Sequence, residues 1–124
     1  MNGNTKYDLE ERLIRFANSI ADVCEALPDT QIGKYLGQQL IRSGCSPALN
    51  YGEAQGAESL NDFIHKMKVC LKELRESMIS LKILKMRLHG RNEDSVMTAM
   101  TECNELIMIF VKSIQTAEKK RTVK

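Results

Sequence analysis

The 124-residue sequence has no tryptophan and only three tyrosines, three phenylalanines and two prolines. Leucine, isoleucine, methionine, valine and alanine must therefore fill the core. The net charge of +2 gives no strong electrostatic attraction to nucleic acid or to a membrane surface. The first residues lack the apolar segment of a signal peptide, and the longest apolar run, Leu106 to Val111, is far shorter than the roughly 20 residues that cross a bilayer. We therefore expect a cytoplasmic protein with no membrane contact.

Cysteine and histidine lack the spacing of a metal or catalytic site. The four cysteines, Cys24, Cys45, Cys70 and Cys103, are separated by 21, 25 and 33 residues, so there is no C-x-x-C pair. This spacing does not support a four-thiolate zinc site, whereas buried free thiols fit it. There is no Ser/His/Asp order around His65 or His89, no P-loop, no dinucleotide-binding glycine fingerprint and no Glu-x-x-His pattern. The sequence therefore predicts no enzyme, no metal and no cofactor.

Apolar residues recur every three or four positions along most of the chain, which is the spacing of one helical face. The sequence predicts four helices, at about residues 7–27, 29–58, 60–88 and 93–117, followed by a basic tail at 118–124. Candidate helix starts are Asp29 or Thr30, Ser59 or Asn61, and Asn92 or Asp94; candidate ends are Pro28 and Gly90. We expect one all-α domain, residues 1–124, folded as an antiparallel up-and-down four-helix bundle.

The second predicted helix is interrupted by the segment SGCSP, residues 43–47. Gly44 loosens a helix, and Pro47 suits the first turn of a new one. We therefore expect a kink or a brief break there, with Ser46 as the N-cap of the resumed helix. The predicted apolar stripe before the interruption consists of Ile32, Leu36, Leu40 and Ile41.

Polar side chains share one flank of the second and third predicted helices. They are Arg42, Ser46, Asn50 and Glu53 on the second helix, and Asp62, Lys66, Glu73, Glu76 and Ser77 on the third; we call this set the polar seam. Because buried charges need partners, we expect Arg42 to pair with Glu73 or Glu76. Lys66 should pair with Glu53 or Asp62. The favoured interpretation is a network that fixes helix register and subunit contacts; a binding or catalytic site and a solvated face are the alternatives.

Two predicted helices carry more apolar residues than one packed face requires. Ile79, Ile83 and Met86 point away from the main stripe of the third helix, and Met108 and Ile109 lie off the stripe of the fourth. Exposed apolar patches usually mark an interface, and homo-oligomers are the common case, so we expect self-association. The alternative is wide core stripes with scattered surface residues.

Basic residues collect near the end of the chain. The segment KSIQTAEKKRTVK contains five Lys or Arg and one Glu, a net charge of +4. Its last cations, Lys119, Lys120, Arg121 and Lys124, are candidate contacts to nucleic-acid phosphates. The alternative is a frayed, solvated terminus.

The segments YDLEERLIRFA, LPDTQIGKYLGQQLIRSGCSPALNYGEAQGAES and DFIHKMKVCLKELRES contain a shared pattern: Q-L-x-R-S-x-x-S, N-Y-x-E-A, E-S-x-x-D-F-I-H-K and L-K-E-x-x-E. From Tyr7 to about Leu88 the chain thereby resembles the bacterial four helix bundle protein family. Its members were first noticed as reading frames in intervening sequences of 23S ribosomal RNA genes. The chain departs from the family's usual residues at Cys45, Pro47, Gly52 and Ser77; at Gly52, where arginine is common, a positive charge is missing.

The resemblance implies a left-handed bundle, a ring-like homopentamer and no established enzymatic activity. More distantly, the chain is similar to the accessory proteins of diversity-generating retroelements, which are strongly basic pentamers that bind nucleic acid and a reverse transcriptase. We therefore expect a non-enzymatic homo-oligomeric scaffold that contacts RNA or DNA through its basic tails. One alternative is a protein-binding adaptor without nucleic-acid contact. Another is an enzyme that uses a cluster of Arg42, Glu53, Lys66 and Glu73.

Overall fold

The computed structural model describes residues 5–89 and 93–123, with side chains from residue 9 to 89 and from 93 to 121. These residues form four α-helices and no strand: α1 (Thr5–Glu25), α2 (Gln31–Gln55), α3 (Leu60–Leu88) and α4 (Glu93–Val123). α2 packs on α1 and α3, α3 packs on α4, and α1 packs more sparsely on α4. This arrangement confirms the predicted all-α four-helix bundle, and it places α1 and α3 at opposite corners.

Two of the predicted helix starts carry N-caps. The Oγ1 atom of Thr30 accepts a hydrogen bond from the Gly33 N–H at 3.1 Å, and the Oγ atom of Ser59 accepts one from the Asp62 N–H at 3.0 Å. Each bond satisfies a backbone donor that has no partner within its helix. These side chains fix where α2 and α3 begin.

α3 ends at Leu88 and α4 begins at Glu93, whereas α4 runs beyond its predicted end. The C-cap of α3 is His89, which has the left-handed backbone angle φ of 49°. Gly90 and Asn92, two predicted boundary residues, lie outside the described residues, and Asp94 lies in the first turn of α4. α4 continues to Val123, so most of the predicted basic tail is helical.

α2 runs unbroken through Pro47. The expected restart with Ser46 as an N-cap is therefore wrong; the Ser46 hydroxyl instead accepts a hydrogen bond from Asn50 Nδ2 at 2.8 Å. Proline inside a helix costs about 3 kcal/mol or more, because one backbone hydrogen bond is lost. Packing offsets this cost of the proline, since Pro47 is buried and α2 contacts a neighbouring helix on each side.

The core runs between all four helices. Its largest fully buried side chains include Phe16, Ile20, Leu40, Leu74 and Phe110. Ile32 and Ile41, which were predicted to lie on the apolar stripe of α2, are exposed. The buried positions of α2 instead follow Leu36, Leu40, Ser43, Pro47, Tyr51 and Ala54. No helix in the described part of the chain is long and apolar enough to cross a membrane.

Candidate functional site

Arg42, on the flank of α2, binds two carboxylates of α3. Its Nη1 atom donates to Glu73 Oε1 and its Nη2 atom to Glu76 Oε1, each at 3.0 Å. Glu73 is buried, whereas Arg42 is about half exposed. The hydrogen bond to Glu76 and the charge of Glu73 raise the pKa of Arg42 above its ordinary value. Both carboxylates named from the sequence are therefore partners of this guanidinium.

A buried pair of hydroxyls lies beside the Arg42 cluster. The Oγ atoms of Ser43 on α2 and Ser77 on α3 are 2.8 Å apart, and both side chains are buried. Such small residues allow two helices to approach closely, and the shared hydrogen bond satisfies both hydroxyls. The sequence placed Ser77 in the polar seam but did not predict its contact with Ser43.

The other end of the polar seam is a separate ion pair. Lys66 Nζ donates to Glu53 Oε1 at 2.6 Å, and this hydrogen bond raises the pKa of Lys66. Arg42 and Glu53 are 11 positions apart on α2, which is about 16 Å along the helix. The structure therefore does not bring Arg42, Glu53, Lys66 and Glu73 into one cluster.

Between these two ends, Asn50 bonds within its own helix. Its Nδ2 atom donates to the carbonyl oxygen and to the hydroxyl of Ser46, at 3.0 and 2.8 Å. Asp62 donates its backbone N–H to Ser59, and its charge helps to raise the pKa of Lys66. The polar seam is thus a row of local contacts along α2 and α3.

Next to the seam lies an exposed apolar surface, which we call the α2–α3 patch: Tyr35, Ile79, Ile83 and Met86. Their exposed fractions are 58%, 57%, 40% and 78%. Tyr35, Ile79 and Ile83 line a groove of about 400 Å³ that Arg42 and Glu76 also border. The sequence identified the three α3 residues but missed Tyr35, whose neighbours on α2 gave no sign that it faces α3.

The interface candidates on α4 differ from each other. Met108 is exposed, with an exposed fraction of 63%. Ile109 is partly buried and packs against the core, so it is not an exposed interface residue as predicted. At about 100° per residue, Ile109 lies at the edge of the buried face of α4, where a neighbouring helix covers it.

A second ion-pair cluster, which the sequence analysis missed, joins α1 to α4. Arg12 Nη2 lies 2.7 Å from Glu102 Oε1 and 2.8 Å from Glu105 Oε1, and Arg12 Nε donates to Glu102 Oε2 at 2.9 Å. These hydrogen bonds, the one to Glu102 above all, raise the pKa of Arg12. Two glutamates three positions apart on one flank of α4 were the available signal.

The basic end of α4 is partly paired. Arg121 donates to Asn61 Oδ1 at 3.2 Å and lies 3.6 Å from Glu118, which also binds Lys68 at 3.0 Å. Lys119 and Lys120 are exposed, and Lys124 lies outside the described residues. The end of the bundle therefore retains positive charge, although Glu118 compensates part of it.

The four cysteines are free thiols. Cys70 donates weakly to the Pro47 carbonyl oxygen at 3.5 Å, and Cys103 to that of Leu74 at 3.2 Å. Burial raises the pKa of both thiols to about 12 and that of Cys24 to about 11. Within residues 5–89 and 93–123, no group of three or more His, Cys, Asp or Glu residues could hold a metal ion.

Comparisons with known proteins relate this helical bundle to a protein family. A family model described as 23S rRNA-intervening sequence protein matches residues 5–112. No curated protein matches the sequence. A solved structure, described as a protein with unknown function from the S23 ribosomal protein family of Bacteroides thetaiotaomicron, has a TM-score of 0.78 and 25% sequence identity. The similarity covers 86% of this chain and 97% of that one. The family match includes the whole polar seam and the α2–α3 patch.

Proposed function

The chain belongs to the 23S rRNA-intervening sequence protein family, and we propose that it is a non-enzymatic scaffold that acts as a homo-oligomer. The observation that carries this proposal is the α2–α3 patch. Four large side chains are exposed together there, beside a seam whose charged groups are paired within the chain. Contiguous exposed apolar surface of this kind usually marks an interface.

The energetic reason is the hydrophobic effect. Full burial of an isoleucine or methionine side chain contributes roughly 1.5–3 kcal/mol. Since Ile79, Ile83 and Met86 are between 40% and 78% exposed, each still has a corresponding fraction of that contribution to gain. A second copy that covers them recovers this free energy, and a single copy cannot.

The polar seam supports a structural role rather than a chemical one. Arg42 and Lys66 each bind a carboxylate, and the two buried hydroxyls satisfy each other. Because these side chains are paired with each other, they fix how α2 and α3 pack, and this packing sets the shape of the α2–α3 patch. Their pairing supports a scaffold with no reaction centre.

For the size of the assembly, the family resemblance supports a ring of five copies. Five chains of 14.1 kDa give a particle of about 70 kDa. A contact that joins two different faces of the same protein gives a closed ring when the rotation between successive copies closes.

Sedimentation velocity across the micromolar range tests self-association. The wild-type protein should sediment as an oligomer, and I79S/M86S should shift towards 14.1 kDa. The matched control is L49S, because Leu49 is an exposed apolar residue of α2 outside the patch. A wild-type particle that stays monomeric throughout would remove the proposal.

A second candidate function is contact with nucleic acid through the basic end of α4. Lys119, Lys120 and Arg121 are exposed within the last turns of the helix. In a ring, equivalent ends lie on one side, so that modest charges add up over the copies. Binding of a single-stranded RNA should then weaken with rising salt.

The matched variants for this second function remove charge at two places. K119Q/K120Q should reduce both affinity and the salt dependence, whereas R15Q, which removes an exposed charge on α1, should not. Binding that is independent of salt, or unchanged in K119Q/K120Q, contradicts nucleic-acid contact at this end. Specific co-purification of another protein after nuclease treatment would favour the adaptor role instead.

A further inference from the structure

A groove between α1 and α2 has the features of a receptor for the α2–α3 patch. It has a volume of about 490 Å³, and its lining includes the small residues Ala21 and Gly37. A Cβ atom added at Gly37 would lie 3.6 Å from Leu27, which is an ordinary contact, so the floor is low and not obstructed there. Small floor residues leave room for large apolar side chains of another molecule.

The rim of this groove carries one uncompensated negative charge. Glu25, Asp29 and Lys34 line it and are exposed. Lys34 Nζ lies 3.3 Å from Asp29 Oδ1, whereas among the described residues no ion pair involves Glu25. Glu25 ends α1, whose last turn carries no basic residue. A carboxylate at a helix C-terminus is unfavourable because it lies near the negative end of the helix dipole. A cation supplied by another molecule would relieve this repulsion.

The α2–α3 patch is bordered by the opposite charge. Lys72 and Arg75 line a groove with Ile79, and Arg87 lines one with Tyr35. None of these three cations forms an ion pair within the described part of the chain, whereas the one carboxylate bordering the patch groove, Glu76, is bound by Arg42. The patch therefore presents apolar side chains between uncompensated positive charges.

These charges disfavour contact between two patches. Lys72 lies seven positions before Ile79 on α3, and Arg87 lies eight positions after it. In a two-fold arrangement whose antiparallel α3 helices cross near Ile79, Lys72 of one copy would face Arg87 of the other at both ends. Like charges held opposite each other cost several kcal/mol in an interface and act against that partner. An acid-rimmed partner fits this surface better.

We propose that copies join head to tail, with the α2–α3 patch of one copy in the α1–α2 groove of the next. This inference rests on the proposed self-association and specifies its two surfaces. Ile79, Ile83 and Met86 enter the groove, while Lys72 or Arg87, at the ends of the patch, approaches the Glu25 carboxylate. The two surfaces are adjacent sides of one bundle, roughly 90° apart, because both include α2. A contact between faces at such an angle turns each successive copy, as a small closed ring requires and a straight filament does not.

Charge reversal tests the two surfaces separately. The patch variant is K72E/R87E and the groove variant is E25K. The control is K112E/K120E, which reverses two exposed lysines on α4. Circular dichroism first checks that each variant is folded, and sedimentation velocity then measures its mass. We expect the control to assemble like wild type, and the patch and groove variants each to sediment mainly as monomers.

An equimolar mixture of the patch and groove variants is the decisive sample. The unaltered groove of the first can accept the unaltered patch of the second, so the mixture should form complexes that neither variant forms alone. If both variants assemble like wild type, the head-to-tail contact is refuted but self-association stands. If the patch variant alone dissociates, the contact is two-fold and the inference is wrong. A monomeric wild type refutes the proposed function itself.

Discussion

Because α1 and α2 approach closely at Gly44, we expect a glycine-to-alanine substitution there to destabilise the protein, whereas the same substitution elsewhere in α2 should stabilise it. A Cβ atom at Gly44 would lie 2.7, 2.8 and 2.9 Å from three atoms of Ile20. Ordinary carbon contacts are about 3.5–4.0 Å. Ile20 is fully buried and β-branched, so its side chain cannot turn away without strain.

The magnitude follows from two opposing effects. Alanine is favoured over glycine inside a helix by roughly 0.5–1 kcal/mol. Overpacking of a core costs typically 1–3 kcal/mol, and a stiff neighbour places Gly44 in the upper part of that range. The variant G44A should therefore lower the free energy of unfolding by about 1–2 kcal/mol.

Gly52 provides the matched control. It lies in the same helix, is exposed, and a Cβ atom there would meet nothing within 4 Å. G52A should therefore raise the free energy of unfolding by about 0.5–1 kcal/mol.

Urea denaturation followed by circular dichroism measures both variants, at one protein concentration because assembly adds to apparent stability. I20A removes two of the three Ile20 atoms that a Cβ atom at Gly44 would overlap. It should therefore lower the free energy of unfolding less in the G44A background than in wild type. Equal shifts for G44A and G52A would refute the close approach.

Two further predictions concern buried polar groups. S43A should lower the free energy of unfolding by about 1–2 kcal/mol, because it removes the partner of the Ser77 hydroxyl. S77A should lower it less, because the Ser43 hydroxyl still donates to the Leu40 carbonyl oxygen at 3.4 Å, and S43A/S77A should be less destabilising than the sum. Urea denaturation of the four proteins measures this coupling, and simple additivity would contradict it. Because burial raises the pKa of Cys103 to about 12, the native thiol keeps a proton that the unfolded chain loses above about pH 9. Stability should thus fall as pH rises from about 9, more steeply than in C103A, and equal slopes would contradict this.

The fold was readable from the sequence because each helix has a regular apolar face. The three-and-four spacing of Leu9, Leu13, Phe16 and Ile20 identified α1, and all four side chains are buried. Pro47 misled the prediction, since local propensity favours a break while packing on both sides of α2 maintains the helix. Tertiary contacts of this kind do not appear in a local pattern.

The candidate site was predictable where it depended on charge along one helix flank. Arg42 and its two glutamates were found in this way. The α1–α2 groove was not, because small residues such as Ala21 and Gly37 give no positive signal until two helices are placed together. Ile109 shows the same limit, since only the neighbouring helix decides whether a residue at the edge of a face is covered.

The sparse packing between α1 and α4 has a consequence for how the molecule opens. Arg12 holds these helices together through Glu102 and Glu105, and all three side chains are partly exposed to solvent. Partly exposed ion pairs contribute little and weaken as salt rises. We therefore expect the bundle to open first between α1 and α4. In this partly open state α1 moves relative to α2, while α2, α3 and α4 stay packed together.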